Sequence, residues 1–275
     1  MHNVYQAIEH HYGHAGILDA VVNALKQQGI DTTNLQPDDL APMDEFHVRG
    51  REGTAELAGR VRWRPGMKVL DVGCGIGGSS RYLAHMHECE VTGIDLTHEF
   101  IDTAKGLSDL VGLDHSIRYL QGSATDLPFE DNSFDVAWTQ HVQMNIGDKR
   151  KFYAEMARVL KPGGQLVFHD VFQNGDAQPY FPVPWASDQS ISFLTTPENA
   201  RSIIESLGLK IMQWEDTTDR SLAWMRLMSE KAKQAAKPMP GINVIMGESA
   251  KARLENALRS LEDDRLRVVQ AVAIK

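Results

Sequence analysis

Apolar residues recur along this chain at two different periods, and the period changes after about its first quarter. Over 4–28 the apolar positions follow helical spacing, which predicts one helix that ends at Gly29. The stretch 31–43 is mostly polar and contains two prolines, so it predicts an irregular connection. Helical spacing returns at 53–62 and predicts a second helix.

From Lys68 onward, short apolar runs alternate with helical segments. This alternation is typical of crossover units, in which a helix packed on the sheet connects two parallel strands. We therefore predict an α/β fold with a mostly parallel, doubly wound sheet. The predicted strands are 69–72, 91–95, 117–120, 134–139, 165–171, 209–215 and 267–274, and the predicted helices are 80–84, 98–111, 148–160, 197–206, 221–236 and 250–261.

The stretch 173–195 follows neither period. It places three prolines among aromatic residues, and a loop of this length inside a compact domain usually has a function, often as a lid or a pocket wall. We therefore predict that residues 173–195 form an inserted lid segment.

The composition narrows the classes of protein that remain possible. The chain has 275 residues, of which 42% are hydrophobic and 24% are charged, as in ordinary folded proteins. Its net charge of −9 would repel a phosphate backbone, so we expect no nucleic-acid partner. No apolar run approaches the roughly 18 residues of a spanning helix, and the first residues lack the pattern of a signal peptide. We therefore expect a cytoplasmic protein without a membrane partner.

The two cysteines, Cys74 and Cys89, do not have the spacing of zinc ligands. We therefore expect no metal.

A glycine-rich loop follows the first predicted strand and opens a helix. Gly73, Gly75 and Gly78 fit the dinucleotide fingerprint. Asp95 follows at the distance of a ribose-binding carboxylate. Asp71 distinguishes the possible ligands, because a carboxylate at the end of the strand repels a pyrophosphate but suits the positive ammonium and sulfonium of S-adenosylmethionine. The loop alone still leaves open a nicotinamide-dependent oxidoreductase, or an Asp71 that only caps the turn.

Five ordered motifs make the chain resemble the class I methyltransferases over residues 68–171. The family has a Rossmann-like sheet of seven strands, so the resemblance implies that the last strand runs antiparallel and is inserted beside strand five. The motifs are DVGCGIG at 71–77, TGIDL at 92–96, SATDLPF at 123–129, FDVAW at 134–138 and RVLKPGG at 158–164.

A finer resemblance lies before this core. The segment DEFHVRG at 44–50, followed by Thr54, is similar to bacterial sarcosine/dimethylglycine and phosphoethanolamine N-methyltransferases and to some natural-product methyltransferases. In those enzymes the segment before the core closes over cofactor and substrate. We therefore expect residues 1–62 to form an N-terminal helical cover, and residues 63–275 to form the core with helical additions at 217–262.

The class resemblance also implies a set of residues that bind S-adenosylmethionine. Asp95 would bind the ribose hydroxyls, and Leu96 would pack on the adenine. Ser123 stands where the family usually carries an acid, so a backbone amide near Ala124 would take over part of the adenine recognition. The complete implied set is Asp71, Gly73, Gly75, Asp95, Leu96, Ala124 and Gln140, the last through its backbone.

His141 and His47 are the candidate catalytic residues. His141 follows strand four at the crevice where open α/β sheets bind ligands, so it could orient the methyl acceptor or take its proton. His47 has a similar claim from the N-terminal segment, and either histidine could instead be structural. Phe46, Phe181 and Trp185 are candidate substrate-binding residues, because a ring face attracts a methylated ammonium by ~0.5–2 kcal/mol. Ordinary core packing is the alternative for each ring.

Together these patterns predict an enzyme that transfers a methyl group from S-adenosylmethionine to a small molecule and releases S-adenosylhomocysteine. A small amine such as sarcosine or dimethylglycine is the expected acceptor. Two alternatives remain open: C- or O-methylation of a small metabolite or natural product, and a non-catalytic binding protein with the methyltransferase fold.

Overall fold

A seven-stranded open sheet forms the centre of the computed structural model, which describes residues 2–13, 15–234, 241 and 243–275. The spatial order of the strands is β3-β2-β1-β4-β5-β7-β6. The strands are β1 Lys68–Val72, β2 Glu90–Asp95, β3 Ile117–Gln121, β4 Phe134–Gln140, β5 Leu160–Gln173, β6 Lys210–Asp216 and β7 Leu266–Ile274. Strands β1 to β5 pair in parallel, and β7 runs antiparallel to both β5 and β6. The predicted α/β class and the antiparallel insertion of the last strand beside β5 are confirmed.

Helices cover both faces of the sheet. They are α1 His2–Tyr12, α2 Ile17–Gln27, α3 Pro37–Asp44, α4 Gly50–Ala58, α5 Gly78–His87, α6 His98–Leu110, α7 Lys149–Val159, α8 Pro197–Ser206, α9 Thr218–Gln234, α10 Asn243–Met246 and α11 Ala250–Glu262. The helix predicted over 221–236 begins three residues earlier, and its last two predicted residues lie outside the described ranges. Within the described residues, no helix combines the length and hydropathy needed to cross a membrane.

The single helix predicted over 4–28 is in fact two helices. α1 ends at Tyr12, and α2 begins after Gly16, whose φ of 82° lies in the left-handed region that favours glycine. Both helices bury apolar residues at helical spacing, so the hydrophobic period continues across the break and hides it. Residue 14, within the predicted helix, lies outside the described residues.

The irregular connection predicted over 31–43 was also wrong in part, because α3 occupies its second half. Proline suits the first turn of a helix, where its missing N–H has no partner to lose, and Pro37 occupies that place. The Gln36 backbone N–H donates to Asp39 Oδ2 at 2.8 Å and caps the same turn. Pro37 therefore starts this helix and Pro42 lies within it, whereas the sequence pattern suggested that the two prolines prevent a helix.

Successive side chains of the central strands pack alternately into two hydrophobic clusters, one on each face of the sheet. Val69 and Trp138 pack into the cluster under α5 and α6. Leu70 and Phe168 pack into the cluster under α7 and α8. Strands buried on both faces explain the continuous apolar runs in the sequence.

A buried ion pair connects the N-terminal segment to helix α5 of the core. Arg81 of α5 donates from one guanidinium nitrogen to Asp44 Oδ2 and to the Ile76 carbonyl, both at 2.8 Å. Both side chains of the pair are at most 1% exposed. A Cβ on Gly78 would collide with the Asp44 carbonyl, so the end of α3 lies directly on the first turn of α5.

We expect Arg81→Met to lower the free energy of unfolding by about 3–5 kcal/mol, because it leaves the Asp44 carboxylate buried without a partner. Urea unfolding followed by circular dichroism measures the change. Arg226→Met is the control, since Arg226 pairs with Glu262 on the surface and should stay close to the wild type. An Arg81→Met protein as stable as the control would show that the pair does not hold the segment.

Candidate active site at the carboxyl edge of the sheet

A cavity of about 1690 Å³ opens beyond the carboxyl ends of β1, β2 and β4. The glycine loop and these strand ends form its floor, and residues from α1, α9, α10 and α11 form much of the opposite wall. The structure brings most of the predicted site residues to this one cavity. Those on its wall are Phe46, His47, Gly73, Gly75, Asp95, Leu96, Ala124, Gln140, His141 and Trp185.

The glycine loop meets the cavity at Gly75. Gly73 and Gly75 both have positive φ, at 73° and 54°. A Cβ on Gly73 would collide with Val142 in the segment after β4, so the loop and that segment touch. A Cβ on Gly75 would meet nothing within 4 Å. The loop therefore presents open backbone to a ligand at Gly75.

Asp95 ends β2 and holds the glycine loop in place. Its carboxylate accepts hydrogen bonds from the backbone N–H groups of Gly75 and Thr97, both at 2.9 Å. Burial raises the pKa of Asp95 above its ordinary value, although these two hydrogen bonds act in the opposite direction. Each carboxylate oxygen can accept more than one hydrogen bond, so Asp95 retains the capacity to bind a pair of hydroxyls.

Asp71 lies behind the loop, on a small recess that adjoins the main cavity and is also lined by Gly73 and Gly75. Its Oδ2 accepts a hydrogen bond of 2.6 Å from Ser80 Oγ. Burial raises the pKa of Asp71 to about 7, and the nearby charge of Glu45 adds to the effect. A positively charged ligand beside the loop would favour the ionised form of this group.

The side chain of Gln140 forms several hydrogen bonds at the site. The sequence did not predict this role, since only the Gln140 backbone was expected to contact the cofactor. Its Oε1 accepts hydrogen bonds from Ser79 Oγ at 2.7 Å and from Trp138 Nε1 at 2.9 Å. Its Nε2 is buried and has no hydrogen-bond partner among the described residues. A buried donor on a cavity wall favours an acceptor group on the bound ligand.

His47 is held by the N-terminal segment on both sides of its ring. Nε2 lies 2.7 Å from Glu45 Oε2 and 3.0 Å from Thr54 Oγ1, and Nδ1 lies 3.3 Å from the Val48 carbonyl. Burial alone would raise the pKa of Glu45, but the bond to His47 and the charges of His47 and Arg51 bring it below its ordinary value. With both nitrogens engaged, His47 is less well placed than His141 to take a proton.

His141 follows β4 in a strained backbone conformation. Its φ is 53°, and its backbone N–H donates to the His169 carbonyl at 2.9 Å. Its Nε2 is buried and has no hydrogen-bond partner among the described residues. Burial, helped by the charge of His47, holds the pKa of His141 well below its ordinary range. The imidazole is therefore neutral near pH 7 and free to accept a proton.

Asn145, four residues beyond His141, forms hydrogen bonds that connect three parts of the chain. The sequence did not single it out as a site residue. Its Nδ2 donates to the Trp185 carbonyl at 2.8 Å and to the Ile191 carbonyl at 2.9 Å. Its Oδ1 accepts a 2.9 Å hydrogen bond from the Tyr12 hydroxyl of α1. The predicted lid segment thus rests on the segment after β4 and on α1. The available signal was the position of Asn145 in the short segment after β4, which also carries His141.

The predicted substrate-binding rings have different surroundings. Phe46 lies on the cavity wall, with its ring centroid 5.8 Å from that of Phe100. Trp185 also lies on the wall, and its Nε1 donates to Ser192 Oγ at 3.0 Å. Phe181 packs into the hydrophobic cluster that contains Trp185 and is not among the described residues on the wall. Within the described residues, no three His, Cys, Asp or Glu side chains are grouped to hold a metal ion.

Comparison with known proteins identifies the core. Residues 70–168 match the family model described as a methyltransferase domain. The match includes the glycine loop, Asp95 and the segment that carries His141. It confirms the resemblance that the sequence motifs indicated.

Two curated relatives of similar sequence have names that give different methyl acceptors. The chain is 29% identical over 219 residues to a glycine/sarcosine/dimethylglycine N-methyltransferase of Actinopolyspora halophila, an alignment that covers 80% of this chain and 38% of the relative. It is 30% identical over 177 residues to a sterol 24-C-methyltransferase of Gibberella zeae, covering 61% of this chain and 47% of the relative. The chain therefore spans less than half the length of either relative.

A solved structure shows the same fold along nearly the whole chain. A geranyl diphosphate methyltransferase in complex with GPP and sinefungin superposes with a TM-score of 0.72 and 18% sequence identity, covering 99% of both chains. The agreement extends beyond the sheet to the flanking helices.

We expect Asn145→Asp to loosen the lid segment, because a carboxylate would face the two carbonyls that the amide now binds. The loss should amount to about 1–3 kcal/mol and should speed proteolytic cleavage within 173–195. Limited proteolysis followed by mass spectrometry measures the cleavage rate, with Asn132→Asp at an exposed turn as the control. Equal cleavage rates in the two variants would contradict the bridging role.

Proposed function

We propose that this protein transfers the methyl group of S-adenosylmethionine to a small-molecule acceptor, because residues 70–168 match the family model of a methyltransferase domain. The observation that carries the proposal is a single cavity in which the open backbone of Gly75, the carboxylate of Asp95 and the neutral imidazole of His141 meet. In this proposal residues 1–62 act as a cover over the core of residues 63–275.

The residues present on the wall suit S-adenosylmethionine. Gly75 leaves room for the methionine part, and Asp95 has lone pairs free for the ribose hydroxyls. The unpaired Gln140 Nε2 offers a donor, which the predicted backbone contact did not include. Leu96 and Ala124 lie on the same wall, where they would contact the adenine. When bound, the cofactor supplies a methyl group activated by the positive charge of its sulfonium.

The chain itself contributes orientation, exclusion of water and a proton acceptor. Methyl transfer is an in-line displacement, and holding the reactants in line supplies most of the acceleration. A neutral amine loses no proton before attack and needs only orientation. A hydroxyl or an acidic carbon must lose one, and His141 is the wall residue with a free, neutral imidazole nitrogen that can take it.

N-methylation of a small amine of the sarcosine or dimethylglycine type is the acceptor chemistry that the name of the Actinopolyspora relative supports. Burial lowers the pKa values of both His141 and His169 well below the ordinary range, so neither ring carries a charge that would repel a developing ammonium. C- or O-methylation is the second candidate. The sterol relative's name and the free nitrogen of His141 favour it.

We expect Asp95→Ala to weaken binding of S-adenosylhomocysteine by roughly 10- to 150-fold, because a charge-assisted hydrogen bond of about 1.5–3 kcal/mol is lost. Gly75→Val should abolish binding, because its side chain would fill the open space at the loop. Isothermal titration calorimetry measures both, and thermal unfolding checks that the variants fold. Asp109→Ala, an exposed carboxylate on α6, is the control. A wild-type dissociation constant for Asp95→Ala would remove this residue from the cofactor site.

The effect of His141→Gln should separate the two acceptor chemistries. With an amine that is neutral at the working pH, turnover should fall about 10-fold through lost orientation. With a hydroxyl or a carbon acid, it should fall about 10²- to 10⁴-fold. The measurement is release of S-adenosylhomocysteine across a screen of sarcosine, dimethylglycine, ethanolamine derivatives and apolar alcohols. His98→Gln, an exposed histidine, is the control, and wild-type turnover by His141→Gln would make His141 structural.

If His141 is the base, its lowered pKa also sets the pH dependence. The neutral form is active, so kcat/KM should stay constant near neutrality and decrease only as the pH falls well below 6.5. This acidic limb should be absent from His141→Gln. A limb centred at or above the ordinary histidine pKa would contradict the burial seen here.

A further inference from the structure

We propose that the methyl acceptor has a large hydrocarbon body and that this protein binds it in an apolar chamber beyond the sheet edge. The inference rests on the proposed methyl transfer and names the class of its substrate. For that substrate it favours an apolar molecule over the sarcosine or dimethylglycine that the name of the Actinopolyspora relative suggests. The acceptor chamber, as used below, is the part of the cavity bounded by α1, α9, α11 and the start of β7. Its apolar wall includes Ile8, Met225, Met228, Leu254, Leu258 and Val268.

The first argument is volume. A pocket that holds one drug-sized ligand usually measures about 300–1000 Å³, whereas this cavity measures about 1690 Å³. An allowance of about 1000 Å³ for S-adenosylmethionine still leaves roughly 700 Å³, which is itself the size of a pocket for a drug-sized molecule. Dimethylglycine would leave most of this space unfilled.

The second argument is the character of the wall. α9 contributes Met225 and Met228, and α11 contributes Leu254 and Leu258, all of them half-buried side chains on the cavity. Methionine adapts to irregular apolar surfaces, so such a wall suits a hydrocarbon body. Burying the two charges of an amino acid against these four apolar side chains would be costly.

The third argument concerns the cations on the wall. A free amino acid needs a cation for its carboxylate. Arg51 could serve at the sheet edge, because its guanidinium nitrogens are buried without a hydrogen-bond partner among the described residues, but it belongs to the segment 44–51 and lies outside the acceptor chamber. Arg253 donates to the Val183 carbonyl at 2.9 Å and to two serine hydroxyls. The lysines on the described wall are exposed side chains of α9 and α11. On the chamber wall, Arg253 is therefore committed to holding the segment 173–195 against α11.

The chamber is continuous with the proposed reaction site. Met144, three residues after His141, and Val171, near the end of β5, both lie on the cavity wall. Val171 pairs directly opposite Val268 of β7, so an apolar strip runs from the segment after β4 into the chamber. A molecule whose body lies in the chamber can thus extend its reactive atom toward His141.

Binding of the neutral fluorescent probe N-phenyl-1-naphthylamine tests the chamber in the full-length protein. We expect saturable binding with and without S-adenosylhomocysteine. Met228→Asp should weaken it about 10-fold or more, because a charge would enter the apolar wall. Leu227→Asp is the matched control. Leu227 lies on the same helix, but its side chain is 51% exposed and is not among the residues that line the cavity. Its substitution should change probe binding by no more than about twofold. Leu258→Asp repeats the test from α11.

The outcomes distinguish this inference from the proposed function. Both α9 variants should bind S-adenosylhomocysteine like the wild type. Failure of the wild type to bind S-adenosylhomocysteine would remove the proposed methyl transfer, while probe binding would still show the chamber. Absence of saturable probe binding, or equal binding by Met228→Asp and Leu227→Asp, would overturn the chamber. Turnover of dimethylglycine that Met228→Asp and Leu258→Asp leave unchanged would also overturn it.

Discussion

The buried ion pair of Asp44 and Arg81 is the interaction on which the rest of the site depends. Both side chains are buried, so the two charges compensate each other, and Arg81 also donates hydrogen bonds to the Ile76 and Ala104 carbonyls and to Ser108 Oγ. The pair places the end of α3 on the glycine loop. The segment that follows, with Glu45 and its partners, is thereby brought to the cavity wall, where it lies beside the glycine loop.

Exclusion of water also sets the protonation of the site. Burial raises the pKa values of Asp71 and Asp170 to about 7, and it lowers that of His141 well below its ordinary range. Asp170 in turn accepts the backbone N–H groups of Val142 and Gln143, at 3.3 Å and 3.2 Å, and so holds the turn that begins at His141. Burial thus leaves His141 neutral and lets Asp71 ionise more readily when a ligand brings a positive charge beside the loop.

The cavity has two parts of different origin. The carboxyl ends of parallel strands form the cofactor side, as is general for open α/β sheets. Helices from the two ends of the chain form the acceptor side, and Asn145 and Arg253 join the two parts through the segment 173–195. Such a division lets one core serve different acceptors, because the helices can change while the strand ends stay the same.

From the sequence alone it was possible to predict where the strands of the core lie, the place of the glycine loop and Asp95 as a carboxylate of the ligand site. These features depend on local pattern and on motifs whose residues lie close together in the chain. The hydrophobic period shows which face of a helix or strand is apolar. It does not show which other helix or strand packs against that face. Three features could be seen only once the chain was folded: α1 and α11 lie on the wall of one cavity, both ring nitrogens of His47 have partners, and Phe181 packs off the cavity wall. Each of these facts depends on contacts between distant segments, where packing and the need to pair buried polar groups select one arrangement.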